Sequence, residues 1–424
     1  MQNATLWRAV LGVEKNTVIE SVEYDEDLQA VIAGVRSARR GRARCGVCQR
    51  RCPAYDRGEG HRRWRGLDLG MIPVWLEGPA PRVDCREHGP TVAAVPWARH
   101  GAGHTRLFDD QVAWLATQTS KTAVVELMRI AWRTVGAIIA RVWDDVEAVH
   151  DRFANLRRIG IDEISYKKGH RYLTVVVDHD SGRLVWAAPG RDKATLNAFF
   201  DALEASGTGR CAAITHVSAD GADWISAVVA QRCPNAVRCA DPFHVVKWAT
   251  EALDEVRRQA WNEARGAVKQ RRAGRSAGHA KALKGARYAL WKNPGNLTTR
   301  QQAKLEWVAK TDPRLHRAYL LKEGLRLLFQ LPPDEAPAAL EKWIGWARRC
   351  RIPAFVDLQR RIVKHKTSIL ASIEHGLSNG RIESVNTKIR LITRIAFGFR
   401  SPEALIALAM LHLGGHPPTL PSRI

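Results

Sequence analysis

Residues 158–188 read RIGIDEISYKKGHRYLTVVVDHDSGRLVWAA, and this stretch decides the fold. Arg158-Ile159-Gly160-Ile161-Asp162 closes one apolar strand, and Tyr172 to Val177 forms a second, almost wholly apolar one. Asp180-Ser181-Gly182 is a hairpin turn, with Arg183 to Ala188 as its partner strand. Working outward, Leu196, Phe199, Phe200 and Leu203 recur at helical spacing. AAITHVSAD (212–220) is a fourth strand, and a helix with Trp224, Ile225, Val228 and Val229 follows. AVRCAD (236–241) is a short fifth strand. Three strands in a meander, then helix, strand, helix and strand, is the order of an RNase H-like fold. Such a mixed α/β sheet carries its chemistry at strand ends, where side chains leave for solvent.

Asp162 and Asp220 end the first and fourth strands, which are neighbours in that fold. Two carboxylates held a few ångströms apart repel unless cations lie between them. Mg²⁺ takes hard oxygen ligands, so one or two carboxylates with substrate phosphate suffice for each ion. Two such ions suit in-line phosphoryl transfer. A third acid is expected from a helix on the same edge, and Glu383 in SNGRIESVNTKIRLITRIAFGFRS (378–401) is the candidate. Asn379-Gly380 breaks the chain before it. Asn386 and Arg390 follow at i+3 and i+7, which puts acid, amide and guanidinium on one face. Each acid also has a plainer role: Asp220 as a helix N-cap, Glu383 as a first-turn partner of the helix dipole. Glu163 stands beside Asp162 as an alternative ligand, although adjacent strand residues point to opposite faces.

The chain has 424 residues and a formal net charge of +23, from 66 Lys+Arg against 43 Asp+Glu. At roughly 150 residues per domain this suggests about three domains. From Arg257 to Arg300 there are twelve basic residues and one acid, Glu263. Arg271, Arg272 and Arg275 lie at the centre of that block. Such a concentration of positive charge points to a nucleic-acid backbone as partner. No apolar run approaches a membrane span, and the N-terminus lacks the apolar core of a secretory signal, so a cytoplasmic protein is expected. Eight cysteines are too few for a disulfide scaffold of this size and are expected to stay reduced.

Residues 1–40 contain alternating segments that read as a β-hairpin. Cys45-Gly-Val-Cys48 and Cys85-Arg-Glu-His88 then form two ligand pairs with 36 residues between them. That spacing suits a closed, structural, tetrahedral zinc site within residues 41–100, with Cys52 as a spare thiol able to compete. Residues 104–150 read as three short helices resembling a helix-turn-helix. Val112, Leu115 and Ala116 stripe the first helix. Ser120 or Thr119 caps the second, which carries Val124, Val125 and Met128. The third buries Val135, Ile138, Ile139 and Val142. Arg133, Thr134 and Arg141 are left for a DNA groove.

The strings 159–186, ADPFHVVKWATEALDEVRR, AYLLKEGLR and SNGRIESVNTKIRLITRIAFGFRSPEAL, with the CGVC and CREH pairs, resemble the ISL3 group of bacterial insertion-sequence transposases. The resemblance runs in order from about residue 40 to 412. It implies a DDE transposase with Asp162, Asp220 and Glu383 as the catalytic, Mg²⁺- or Mn²⁺-binding residues. An all-helical insertion, 246–376, would divide a catalytic core made of 156–245 and 377–412. Asp241 and His244 in DPFH also match the group and are expected to support the site. Their plainer reading is an Asx-Pro turn with a supporting histidine. His88 stands where many members carry a second cysteine. The resemblance further implies terminal inverted repeats and target DNA as partners, a homodimer or larger assembly on DNA, and action at the bacterial nucleoid. The rival readings are a DNA-binding repressor with a non-catalytic C-terminal region, and a nuclease of the same fold that cuts without joining.

Overall fold

The computed structural model describes residues 4–269, 276–399 and 401–421. It divides into two compact units, residues 1–152 with 390–424 and residues 153–389. The first unit opens with helix α1 (Ala4–Leu11) and the antiparallel hairpin β1 (Thr17–Asp25) and β2 (Ala30–Ser37). After β3 (Ala54–Asp56) come β4 (His61–Arg65), β5 (Val74–Pro79), β6 (Arg82–Cys85) and β7 (Gly89–Val92). The hairpin does not stand alone, in contrast to the separate 1–40 segment expected from the sequence. β5 pairs in parallel with β2 and β4 pairs with β5, giving one sheet in the order β1-β2-β5-β4. Its apolar face requires cover that a two-stranded ribbon cannot provide. Val35, Leu76, Trp64 and Trp97 supply that core, the two indoles meeting edge to face at 5.3 Å. β3, β6 and β7 form a second, smaller sheet.

Three helices follow: α2 (Arg106–Gln118), α3 (Lys121–Met128) and α4 (Trp132–Val149). Thr105 caps α2 by accepting from the Phe108 amide, and Ser120, rather than Thr119, caps α3 by accepting from Ala123. Arg129 takes a left-handed φ of 53° to end α3, so Arg129-Ile130-Ala131 makes the tight turn into α4. Val135, Ile138, Ile139 and Val142 are all buried against Phe108, Val112 and Val124.

The second unit is built on β8 (Arg158–Lys167), β9 (Arg171–Asp178) and β10 (Leu184–Pro189), then α5 (Lys193–Ala205), β11 (His216–Ala219), α6 (Asp223–Arg232) and β12 (Val237–Ala240). The sheet order is β10-β9-β8-β11-β12, with the first three strands antiparallel and β8, β11 and β12 parallel. This is the order the sequence reading expects. Val175, Val176 and Val177 are wholly buried, as an apolar run covered on both faces should be. Phe199, Phe200, Leu203, Ile225 and Val229 from α5 and α6 cover one face.

Between β12 and the last catalytic candidate the chain is helical: α7 (Pro242–Lys269), α8 (Ser276–Gly285), α9 (Arg287–Trp291), α10 (Thr299–Thr311), α11 (Pro313–Leu328), α12 (Ala336–Arg349), α13 (Pro353–Lys364) and α14 (Lys366–Glu374). These share one apolar core around Val245, Leu253, Leu315, Leu325, Trp343 and Phe355. Inside it Lys322 is only 1% exposed. Its ammonium donates to the Leu290 carbonyl at 3.0 Å and pairs with Glu323. A buried pair broken on one side leaves an uncompensated charge. Lys322→Met is therefore expected to destabilise by about 3–5 kcal/mol, whereas replacing both partners, Lys322→Met with Glu323→Gln, is expected to cost clearly less. Denaturant melts of the two variants check this; equal losses would contradict it.

α15 (Gly380–Ile395) and α16 (Pro402–Leu413) complete the chain. The sequence reading placed 377–412 together in the core, but this segment divides at residue 390. Ala407, Leu408 and Leu411 of α16 are buried among α2 and α4. An almost entirely apolar helix needs more than one neighbour, and the helix-turn-helix provides two.

Candidate active site and DNA-binding modules

β11 pairs with β8 only as far as Ser218 opposite Gly160. Asp162 lies two residues beyond that point, inside β8 and opposite Val175 of β9, because β8 continues to Lys167 instead of ending at Asp162 as the sequence suggests. Asp220 is the first residue after β11, so the two acids meet where β11 ends beside β8. Asp162 accepts from the Glu163 amide at 2.8 Å and from the Asn386 amide group at 2.7 Å. Burial pushes the Asp162 carboxyl up, the Glu163 amide and His244 oppose this, and Asp220 and Asp241 add to it. Glu163 is likewise raised by burial, opposed by Arg191. Asp220 accepts from the Ala222 amide at 2.9 Å, so it also shapes the start of α6. Arg238 donates to the Asp220 carbonyl at 2.6 Å.

Asp241, 2% exposed, accepts from the Phe243 amide and holds His244 Nδ1 at 2.5 Å. That hydrogen bond raises the His244 pKa against its burial. A turn residue and a charge partner are thus combined in one aspartate. Asp241, Asp220 and Asp162 all favour the charged form of this imidazole.

Helix α15 is fixed to the sheet at two levels. Ser218 Oγ donates to Asn379 Oδ1 at 2.6 Å and lies 2.7 Å from His179 Nε2. Burial, with Arg381 and Arg158 nearby, pushes His179 down to about 4, so the ring is neutral. Ser218 has one proton, which goes to Asn379, so His179 Nε2–H donates to Ser218. One turn along, Gly160 lets Ile382 lie on β8: a Cβ there would stand 2.1 Å from Ile382 Cδ1. Ile382, Val385, Asn386 and Ile389 form the buried face. Glu383 is exposed in the first turn, one turn before Asn386, and its carboxylate has no partner among the described residues. Arg390 is exposed one turn beyond Asn386.

Asp162, Asp220, Asp241, His244 and Asn386 are therefore gathered at one edge, with Glu383 on the helix that Asn386 anchors. Among the described residues these carboxylates do not converge into one ligand sphere. The donor chemistry fits Mg²⁺: the groups are oxygens, and Asn386 Oδ1 is buried without a partner beside Asp162. Sequence reasoning missed His179, Ser218, Asn379 and Gly160. Only Gly160 left a signal, a glycine inside an apolar strand, which marks close approach of another element. Gly160→Ala is expected to displace α15 and cut activity by roughly tenfold or more, since misplacement of about 1 Å at a reacting centre costs about 100-fold. Partial rescue by Ile382→Val in the same chain would identify the contact; an unaffected Gly160→Ala protein would refute it.

In the first unit, the ligand atoms of Cys45, Cys48, Cys85 and His88 all lie within 4.8 Å of one another. Cys48 and Cys85 sulfurs are 3.7 Å apart, and His88 Nδ1 is 3.5 Å from Cys85 and 3.8 Å from Cys45. Zinc–sulfur bonds of about 2.3 Å place tetrahedral sulfurs about 3.8 Å apart, so the set fits zinc. Cys52 faces the Arg50 carbonyl at 3.4 Å and is not one of the four. His88 holds the Cys85 thiol down to about 6.

Three segments of the chain have counterparts in known proteins. A transposase family profile matches residues 159–409, a helix-turn-helix domain of transposase family ISL3 matches 93–143, and a zinc-finger of transposase IS204/IS1001/IS1096/IS1165 matches 41–88. The chain belongs to the ISL3 family of transposases. It is 65% identical to the transposase for insertion sequence element IS1557 of Mycobacterium tuberculosis, strains CDC 1551 and H37Rv, over 100% of this chain and 98% of those. It is 28% identical to the transposase for IS1001 of Bordetella parapertussis, over 93% of this chain and 94% of that one. The solved Drosophila P element transposase strand transfer complex overlays at a TM-score of 0.35 with 10% identity, over 73% of this chain and 92% of that one. That likeness is too slight to bear on the fold.

On the helix-turn-helix of this ISL3 transposase, Arg133 is exposed and Thr134 half-buried at the start of α4. Arg141 departs from expectation. Its guanidinium forks onto both oxygens of Asp109 at 3.2 and 3.3 Å, and Asp109 is fully buried. A buried carboxylate needs that cation, so Arg141 is committed to the fold rather than to a groove. Arg271, Arg272 and Arg275 lie outside the described residues. No helix among the described residues is long and apolar enough to cross a membrane.

Proposed function

We propose that this transposase binds the terminal inverted repeats of its insertion sequence through residues 41–150 and cuts and joins DNA at the Asp162–Asp220 edge. The observation that carries the reading is the meeting of Asp162, within β8, and Asp220, just past the end of the parallel neighbour β11, with α15 anchored to Asp162 through Asn386. Asp162, Asp220 and Glu383 would hold two Mg²⁺ or Mn²⁺ ions, which activate a water or a 3′-hydroxyl and stabilise the leaving oxygen. Asn386 and the Glu163 amide orient the two oxygens of Asp162. Asp241 favours the charged form of His244, in which Nε2–H can donate to a phosphate oxygen at the same edge. The arrangement needs no covalent enzyme intermediate: cleavage frees a 3′-hydroxyl, which attacks a phosphodiester of the target. Holding two ends together requires at least a dimer. Zinc at the four-ligand site would be structural, because its four protein ligands leave no open position. The helical segment 246–376, rich in basic residues, would hold the DNA flanking the cut. The work belongs at the nucleoid in the bacterial cytoplasm.

The test is a gel assay of the full chain with DNA carrying its own element's ends, with and without Mg²⁺ or Mn²⁺. Metal-dependent nicks at the element boundary followed by joined products are expected. Nicks without joining would make it a nuclease, and tight binding without a cut at any metal concentration would make it a repressor.

A further inference from the structure

At the tip of the β8–β9 hairpin Lys167 and Arg171 are paired directly across the two strands. Like charges in opposed positions repel and cost stability. Lys168 adds a third cation in the turn, and all three are exposed with no acidic partner among the described residues. The turn is tight, with φ of 87° at Gly169 and 57° at His170, so a non-glycine residue is held in the left-handed region. Lysines often guard the edge strand of a sheet against unwanted pairing. The tip runs past both neighbours, since β8 pairs with β11 only to Gly160 and β9 with β10 only from Leu173, so one charge there would serve as edge protection. Edge protection does not call for two cations opposed across the ribbon with a third between them, and an anionic partner supplies that account.

The path from the tip back to Asp162 is lined in the same way. The Arg191 guanidinium lies over the Tyr172 ring, 4.6 Å from its centroid, and its Nε is 3.3 Å from Glu163, the neighbour of Asp162. The His170 ring stacks on Tyr172 at 6.4 Å. Glu163 is the acid on this path, and Arg191 already neutralises it. The result is three exposed cations at the hairpin tip, with Arg191 stacked on Tyr172 between the tip and Glu163.

We infer that the β8–β9 hairpin tip is a clamp for the DNA backbone, in which Lys167, Lys168 and Arg171 hold phosphates of the duplex about five base pairs from the scissile phosphate. The distance follows from the strand. Asp162 and Lys167 are five residues apart, about 17 Å at about 3.4 Å per residue. Duplex DNA advances about 3.4 Å per base pair, so the tip reaches about five base pairs along. The clamp is separate in the sequence from the helix-turn-helix and reads no bases, because phosphate contacts fix register rather than sequence. The inference rests on the transposase reading of the Asp162–Asp220 edge.

The experiment uses the full-length protein and a Lys167→Glu, Lys168→Glu, Arg171→Glu variant, both titrated with end-containing DNA over a range of salt. Neutral methylphosphonates are placed one position at a time on the element side, on the flank and in a target duplex. The salt slope of binding is expected to fall by about 2 to 3 in the variant, since each lost phosphate contact removes about 0.9. Lys168→Ala alone, which leaves the hairpin's polarity unreversed, is expected to lower it by about one. Methylphosphonates four to six base pairs from the boundary are expected to weaken wild-type binding about tenfold and leave the variant unchanged. The sensitive strand identifies whether element, flank or target DNA is held. Equal salt slopes, or the same methylphosphonate penalty in both proteins, would overturn the clamp. These are binding measurements, so they decide the clamp even if the wild type fails to cut; that failure would count against the transposase chemistry alone.

Discussion

Asp162→Ala is expected to abolish metal-dependent nicking at the element boundary, by roughly 1,000-fold or more, while end binding changes less than about twofold. Loss of a metal-holding carboxylate removes several kcal/mol of charge stabilisation, and each 1.36 kcal/mol is a factor of ten. The variant should also fold. Burial and the nearby Asp220 and Asp241 disfavour the charged form of Asp162, so removing it relieves a cost that the fold bears for function. The lost Asn386 hydrogen bond offsets part of that gain, at about 1 kcal/mol. Thermal melts of the metal-free protein should therefore show little change or a rise. Glu383→Ala should lose nicking to a similar degree with no change in melting, because its carboxylate is exposed and unpartnered among the described residues. A large fall in melting temperature together with loss of end binding would make Asp162 a folding residue. Wild-type nicking rates would remove it from the site.

Removing zinc is the second large effect. Structural zinc contributes about 10–16 kcal/mol in small zinc-binding peptides, more than the small β3-β6-β7 sheet can offer by itself. Cys45 and Cys85 are almost fully buried, and the cluster around them contains only Val83 and Ala93 besides cysteines. The ion is the core of this module. A strong chelator, or Cys85→Ser, is expected to release one zinc per chain, expose the backbone amides of residues 45–92 to hydrogen exchange and weaken end binding by about 100-fold or more. Cys52→Ser should keep the metal, because Cys52 is not among the converging ligands. Retained amide protection and full end binding in metal-free protein would overturn the assignment.

Much of this was legible in the chain because it rests on local chemistry. The 158–188 stretch specified a meander through apolar runs and an Asp-Ser-Gly turn, and two matched ligand pairs specified a metal site. Helical spacing named the buried face of α4 residue by residue. What escaped the sequence depends on partners far apart along it. Arg141 looked free until Asp109, 32 residues away, was found buried beneath it. The N-terminal hairpin looked self-contained until β5 paired with it. α16 continued the catalytic segment in sequence yet packs on α2 and α4. Ser218 and Asn379, 161 residues apart, gave no signal at all.

Element types, the two ligand pairs and Asp220 at the end of its strand follow from the sequence, since propensity, periodicity and spacing are properties of neighbouring residues, whereas β8 runs on past Asp162 because β9 pairs with it to Lys167. The tertiary structure alone decided which charges are spent on the fold and which stand free, and how Asn379, Ile382 and Asn386 set α15 on the sheet. The reason is physical: burial and pairing are relations between surfaces brought together only when the chain closes, and no local pattern encodes the partner.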